Sequence, residues 1–191
     1  MPIDARPRCD WALGSEAECA YHDAEWGVPV HGDDALFELL TLEGAQAGLS
    51  WRTVLIRRDA YRAAFHGFRI AQVAAMTDDA LAACLENPGL IRHRQKIASV
   101  RTNARAALAL GEGGLDRLLW GFVDGVPVVN APASRAEVPA ETPASRAMSK
   151  ALRKAGFSFV GSTICYALMQ AGGMVNDHLT GCFRYPAARK A

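Results

Sequence analysis

The 191-residue chain lacks any apolar run approaching the length of a membrane span. No hydrophobic segment follows Met1-Pro2-Ile3-Asp4-Ala5-Arg6, so no secretory signal is read there. The five cysteines are an odd number and lack the spacing of a disulfide framework. Together these absences predict a bacterial-type protein of the reducing cytoplasm with no membrane partner. Cys19, Cys84 and Cys165 then read as small buried core residues. Internal repeats and low-complexity segments are also absent, and nothing argues for an oligomer. The expectation is a monomer forming one domain over residues 1–191.

Basic residues are scarce at first and abundant later. Residues 1–50 hold ten acids and two bases, whereas residues 51–110 hold ten bases and four acids. A net charge of +1 hides this asymmetry, which makes the middle of the chain a candidate polyanion surface or a set of solvated helix faces.

Strand signals are few: Val126–Asn130 is the one plausible strand. The rest reads as helices, so the predicted class is all-α. Asp33-Asp34 can cap a helix carrying Leu36, Phe37, Leu39, Leu40 and Leu42. Ser50 can cap the next, with Val54, Leu55, Tyr61 and Phe65 inward. Thr77-Asp78-Asp79 starts a short helix that stops at Asn87-Pro88-Gly89. A long helix is expected from about Arg92 to Leu110, with Ile97, Val100, Ala104 and Leu108 on one stripe. Asp116 reads as a cap for Leu118–Phe122 and Asp124 as a turn residue. The segment 131–143 reads as an exposed connection, Ala144 or Ser145 as the start of a basic helix, and 159–171 as a buried helix.

Two pairs of metal-type ligands lie at opposite ends of the chain: Cys9 with His22, and His178 with Cys182. The i,i+4 spacing of the second pair would place both on one face of a helical turn. Two Cys and two His make a complete tetrahedral set with no position left for water. The spacing leaves two readings open, a structural metal joining the termini or free thiols with ordinary histidines.

The segment 85–97 has the outline of a helix-hairpin-helix. A short helix stops at Pro88-Gly89 and a longer one starts just after Leu90-Ile91. Gly89 would let the backbone approach a phosphate, and the first amides of the second helix favour an anion. Arg92, Arg94 and Lys96 add positive charge, a contact that would hold a duplex without reading its sequence. An ordinary αα-hairpin has the same outline.

Tyr21, Trp26 and Trp51 flank a lone acid, Glu43, in an otherwise apolar helix. Such an acid is costly without a partner, either a protein arginine or a ligand. Aromatic faces plus one carboxylate suit a flat cationic ring that donates hydrogen bonds, such as an alkylated nucleobase. Singly each residue reads as core; as a group beside the hairpin they outline a pocket for an extruded base.

Several blocks together resemble one family. They are Tyr21-His22-Asp23-Ala24-Glu25-Trp26-Gly27, Leu42-Glu43-Gly44, Gln46-Ala47-Gly48-Leu49-Ser50-Trp51, Gly89-Leu90-Ile91-Arg92-His93-Arg94, Phe159-Val160-Gly161-Ser162-Thr163-Ile164-Cys165-Tyr166 and Val175-Asn176-Asp177-His178. The chain resembles the 3-methyladenine DNA glycosylase I (TAG) family of the helix-hairpin-helix glycosylase superfamily from Cys9 to about Pro186. The resemblance implies an all-α fold in two lobes, one of N- and C-terminal segments and one central with the hairpin at about 79–110. It implies one structural zinc per chain on Cys9, His22, His178 and Cys182. It implies that Glu43 contacts the adenine edge, that Tyr21, Trp26 and Trp51 line the pocket, and that Gly48-Leu49 fills the gap left by the flipped nucleotide. The implied substrate is alkylated double-stranded DNA and the implied product free 3-methyladenine. Glu18 departs from the pattern: it stands where the family is expected to place a second pocket tyrosine.

The implied chemistry asks little of an acid, because N3-methylation makes the base a cation that leaves neutral. An ionised Glu43 would then select the lesion through binding. Asp116 and Asp124 are the candidates for a superfamily-type catalytic Asp, and their expected capping and turn roles argue against one. No Lys occurs between Lys96 and Lys150, so no Schiff-base lyase step is expected. Rival readings are a non-catalytic DNA-binding module and a zinc hydrolase or deaminase. The chain lacks the deaminase pattern of His-x-Glu followed by Pro-Cys-x-x-Cys.

Overall fold

A computed structural model describes residues 5–186; Met1–Asp4, part of the segment read above for a signal, lie outside the described residues. The helices in chain order are α1 (Glu16–Ala24), α2 (Asp33–Gln46), α3 (Trp51–Leu55), α4 (Arg58–Ala64), α5 (Ile70–Ala74), α6 (Asp78–Glu86), α7 (Arg94–Ala109), α8 (Gly114–Trp120), α9 (Pro143–Lys154) and α10 (Ser162–Ala171). No helix among the described residues is long and apolar enough to cross a membrane.

α2 is the central element and packs against α3, α7, α8 and α10. Its buried Leu36, Phe37, Leu40 and Leu42 meet Phe65 and Phe68, Ile97 and Val100 of α7, Leu115 and Leu119 of α8, and Leu168 of α10 in one core. Ser50 and Thr77 cap α3 and α6 as expected, each hydroxyl accepting the amide three residues on. Cys19, Cys84 and Cys165 are buried free thiols.

Several local expectations are corrected. The predicted strand pairs in parallel with a second one that was not anticipated: β1 (Val128–Val129) joins β2 (Val175–Asn176). Two residues per strand are too short to carry an alternation pattern. Asp33 and Asp34 lie in the first turn of α2 and cap other helices instead. Asp33 accepts the amide of Asp116 at 2.8 Å, and Asp34 accepts that of Ile70 at 2.9 Å. Asp116 sits inside α8 and accepts from Gly32, so α2 and α8 cap each other. α7 starts at Arg94 behind a His93 cap, and α9 starts at Pro143 behind a Thr142–Ser145 capping box. Leu108 is 51% exposed, off the buried stripe of α7. The helix expected after Ser50 breaks into α3 and α4. Asp124 does occupy a left-handed turn.

The N-terminal segment lies against the C-terminal one, where Phe183 donates its amide to the Pro7 carbonyl at 2.9 Å. The hairpin forms from α6, the turn 87–93 and α7. Gly89 is required there by packing, since a Cβ would lie 2.8 Å from that of Ala60.

Candidate metal centre and base pocket

Cys9, His22, His178 and Cys182 are all buried, and their ligand atoms lie within 4.8 Å of one another. Sulfur and nitrogen sit 3.4 Å apart for Cys182–His22 and 3.7 Å apart for both Cys9–His178 and Cys182–His178. Such edges suit a tetrahedron with metal bonds of about 2.0–2.3 Å. The expected helical turn is absent: His178 and Cys182 lie in an irregular segment tightened by a Cys182 amide bond to the Leu179 carbonyl.

The surroundings fix which ring nitrogen faces the cluster. Asp23 Oδ1 lies 2.8 Å from His22 Nδ1. That carboxylate is gripped by Arg8 at 2.7–3.1 Å, which holds its pKa down to about 2. An ionised carboxylate can only accept, so Nδ1 carries the proton and Nε2 presents a lone pair. His178 Nε2 lies 3.1 Å from the Trp26 carbonyl, which leaves Nδ1 for the cluster. Burial lowers the pKa of both histidines, that of His178 to about 4, so both are neutral ligands at pH 7. The amides of Leu179 and Arg184 point at the sulfurs of Cys9 and Cys182, each at 3.4 Å. Burial pushes the Cys9 thiol up to about 12, so it favours a thiolate only beside a cation. This buried two-Cys, two-His set can hold a metal ion, and its four ligands leave no open position for catalysis.

A cavity of about 620 Å³ opens next to it. α1 supplies Tyr21, the following turn Trp26, α2 Glu43, and the first residue of α3 Trp51. The Tyr21 and Trp51 rings are 5.0 Å apart and tilted by 45°. Trp11, which the sequence reading missed, stands edge-on to Trp26 at 5.1 Å. Its place two residues after Cys9 was the available signal.

Three polar atoms of this cavity are buried with no hydrogen-bond partner: Tyr21 Oη, Glu43 Oε2 and Trp51 Nε1. Each such atom costs roughly 1–3 kcal/mol, so three lining one cavity mark a site shaped for a ligand's polar edge. Glu43 is 3% exposed, and desolvation pushes its pKa up to about 8. It is therefore mostly protonated at pH 7 without a cationic ligand, which revises the expectation of an ionised acid. Burial and the nearby Glu43 also raise Tyr21 well above the ordinary phenol value.

A second acid, Asp177, borders the cavity but is committed. It accepts from Tyr166 Oη at 2.6 Å, Gln170 Nε2 at 2.7 Å and Asn130 Nδ2 at 2.7 Å. Glu18 also lines the cavity, and its Oε2 accepts from the Ser15 hydroxyl at 2.8 Å in the first turn of α1. Asp116 and Asp124 do not line it.

Leu49 lines the cavity and is 42% exposed, with Gly48 beside it in a left-handed conformation. Arg92 and Arg94 are exposed on the hairpin. Lys96 is not: it is 8% exposed and its ammonium donates to the Ala45 and Ala47 carbonyls at 2.9 and 2.6 Å. The expected phosphate contact by Lys96 is thus replaced by one to the end of α2, where unpaired carbonyls attract a cation.

A hairpin-bearing helical fold, closed end to end by a Cys/His cluster beside an acid-floored aromatic cavity, defines a helix-hairpin-helix DNA glycosylase. The chain belongs to the methyladenine glycosylase family, whose model matches residues 11–185. DNA-3-methyladenine glycosylase 1 of Escherichia coli is 49% identical over 181 residues, covering 94% of this chain and 97% of the relative. A crystal structure of a 3-methyladenine DNA glycosylase I shares 52% identity with a TM-score of 0.92, covering 94% of this chain and 100% of that one. A variant of such an enzyme, crystallised in complex with 3-methyladenine, is 30% identical with a TM-score of 0.89, covering 94% and 98%.

Proposed function

We propose that this chain hydrolyses the N-glycosidic bond of 3-methyladenine in alkylated double-stranded DNA, as a monomeric base-excision repair glycosylase without lyase activity. The whole chain acts as one glycosylase domain. The observation that carries this reading is the trio of unpartnered atoms on Tyr21, Glu43 and Trp51 inside an aromatic cavity.

The duplex is held through Arg92, Arg94 and the backbone around Gly89, contacts that position without reading sequence. The damaged nucleotide is extruded, and Gly48-Leu49 fills its place in the stack. The base enters between Trp51, Tyr21 and the wall of Trp26 and Trp11. N3-methyladenine in DNA is a cation, and its arrival favours ionisation of Glu43, which gives up its proton and accepts from the ring edge. Neutral adenine provides no such charge, so it is bound less well. Breaking the bond leaves the electron pair on the departing base, which becomes neutral, and water attacks the sugar. No strongly acidic group is required, because the base departs neutral.

The Cys9, His22, His178 and Cys182 set holds one zinc ion. When bound it neutralises two thiolates and ties the chain's two ends together. The chemistry lies in the pocket.

The deciding experiment measures release of 3-methyladenine from methylated duplex DNA by wild type, Glu43→Gln and Trp51→Ala. Full release by both variants would remove the proposed pocket. Duplex binding without any release by wild type would leave a DNA-binding module.

A further inference from the structure

We propose that Lys96 is a positioning residue that locks the geometry of the Gln46–Leu49 turn and so couples the hairpin to base capture. The inference rests on the glycosylase reading above and adds a residue that reading does not use.

The segment after α2 is a four-residue turn closed by the Leu49 amide on the Gln46 carbonyl at 2.6 Å. Ala47 has φ −46° and ψ 115°, and Gly48 has φ +77°. These are the angles of a type II turn, in which the third residue must take positive φ. Type I and type II turns differ mainly by a flip of the central peptide, here Ala47–Gly48. With glycine at the third position both are sterically open. A Cβ at Gly48 would meet nothing within 4 Å, so packing does not select between them.

Lys96 does. Its ammonium reaches the Ala47 carbonyl at 2.6 Å, and that carbonyl belongs to the peptide that would flip. The second bond, to the Ala45 carbonyl at 2.9 Å, fixes the ammonium against the last turn of α2, two residues from Glu43. Both bonds are charge-assisted and shielded from water, which makes each stronger than a neutral pair. A flip would leave a buried cation short of an acceptor. Lys96 therefore holds the turn in the form that presents Leu49 at the pocket rim. Because Lys96 lies in the first turn of α7, the hairpin that grips phosphates is bonded directly to the loop that fills the gap.

The tests are Lys96→Met, which keeps the stem and removes the donor, and Gly48→Ala, which disfavours positive φ. The first readout is hydrogen exchange at the Leu49 amide. It is expected to quicken about tenfold or more in Lys96→Met, the loss of roughly one charge-assisted bond. The second compares base release from duplex with binding of free 3-methyladenine. Release should fall about 10- to 100-fold while free-base affinity stays within about twofold, because the rim is misplaced and the pocket is not. The double variant should lose little more than either single one. Unchanged exchange at Leu49, or equal losses of free-base binding and duplex release, would overturn the proposal. Absence of base release by wild type would sink the glycosylase reading instead, with the exchange measurement still deciding whether Lys96 locks the turn.

Discussion

His178 and Trp26 join the Cys/His cluster to the aromatic cavity. His178 Nε2 lies 3.1 Å from the Trp26 carbonyl, and the two rings meet edge to face at 4.6 Å. His178 Nδ1 faces the cysteines, while Trp26 lines the cavity. Metal loss should therefore loosen a pocket wall as well as the chain ends. The protein is expected to contain about one zinc per chain. Chelation or His178→Ala should remove it and lower Tm by about 10 °C or more, since metal binding is folding free energy. Tryptophan fluorescence should change in parallel. Activity that vanished at unchanged Tm would mean a catalytic metal.

Glu43→Gln separates function from stability. The amide keeps the shape but cannot ionise for a cationic ring, so base release should fall about 100-fold, the loss of a charged hydrogen bond. Stability should move the other way at high pH. Burial raises the folded pKa of Glu43 from the ordinary 4.5 to about 8. The folded state then binds more protons than the unfolded one between those values, so stability falls as pH rises through that window. Glu43→Gln should thus gain melting temperature relative to wild type at pH 8 and little at pH 4. A variant less stable than wild type at pH 8 would contradict a desolvated acid.

The same linkage predicts how capture depends on pH. A cationic base lowers the Glu43 pKa, so binding releases a proton whenever the free pocket holds one. Affinity for the methylated nucleotide should rise with pH up to about 8 and then level off. In Glu43→Gln that slope should disappear. The check is binding to a non-cleavable cationic analogue in two buffers of different ionisation enthalpy, which counts the proton directly.

Much of the molecule was legible because its signals are local. Ser50 and Thr77 cap the helices they precede, and the hairpin's Pro88-Gly89 stop needs only its neighbours. The ligand quartet was legible as chemistry but not as geometry: His178 and Cys182 meet through an irregular turn, not along a helix. What stayed hidden depends on partners far away in sequence. Asp33 reads as the cap of its own helix yet serves α8 across 83 positions. Lys96 reads as one more base on a basic helix, and only the approach of α2 turns it inward. Asp177 looked like part of a motif, and its three donors come from two other segments, Tyr166 and Gln170 on α10 and Asn130 after β1.

Trp51, the first residue of α3, lines the cavity and is the stacking face of the proposed base capture. Its ring sits 5.0 Å from that of Tyr21, too close to admit a base between them, so a flat base would stack on the free face of the pair. Trp51→Ala should weaken base capture by about 1–3 kcal/mol, the usual worth of one base–aromatic stack, and lower release accordingly. Trp51→Phe should recover much of the loss, because a face remains while the unpartnered indole N–H is gone. A similar deficit in both variants would assign the effect to that N–H instead.

Glu18 marks where this pocket departs from the expected family pattern, and the structure explains why an acid is tolerated there. Ser15 and Glu18 occupy the first turn of α1, with the Ser15 hydroxyl accepting the Glu18 amide at 3.2 Å and donating to its carboxylate at 2.8 Å. The side chain is thus engaged in capping rather than pointing freely into the cavity it lines. Glu18→Tyr removes that cap contact and adds an aromatic face. The expected outcome is a loss of about 0.5–1 kcal/mol in stability together with tighter binding of free 3-methyladenine. Glu18→Gln keeps much of the capping contact without the charge, and it isolates the electrostatic effect of a second acid near a cationic base. If Glu18→Gln weakens capture of the cation while leaving free neutral 3-methyladenine unaffected, the acid assists selectivity from the pocket wall. Equal capture by Glu18→Gln and wild type would confine Glu18 to holding the start of α1.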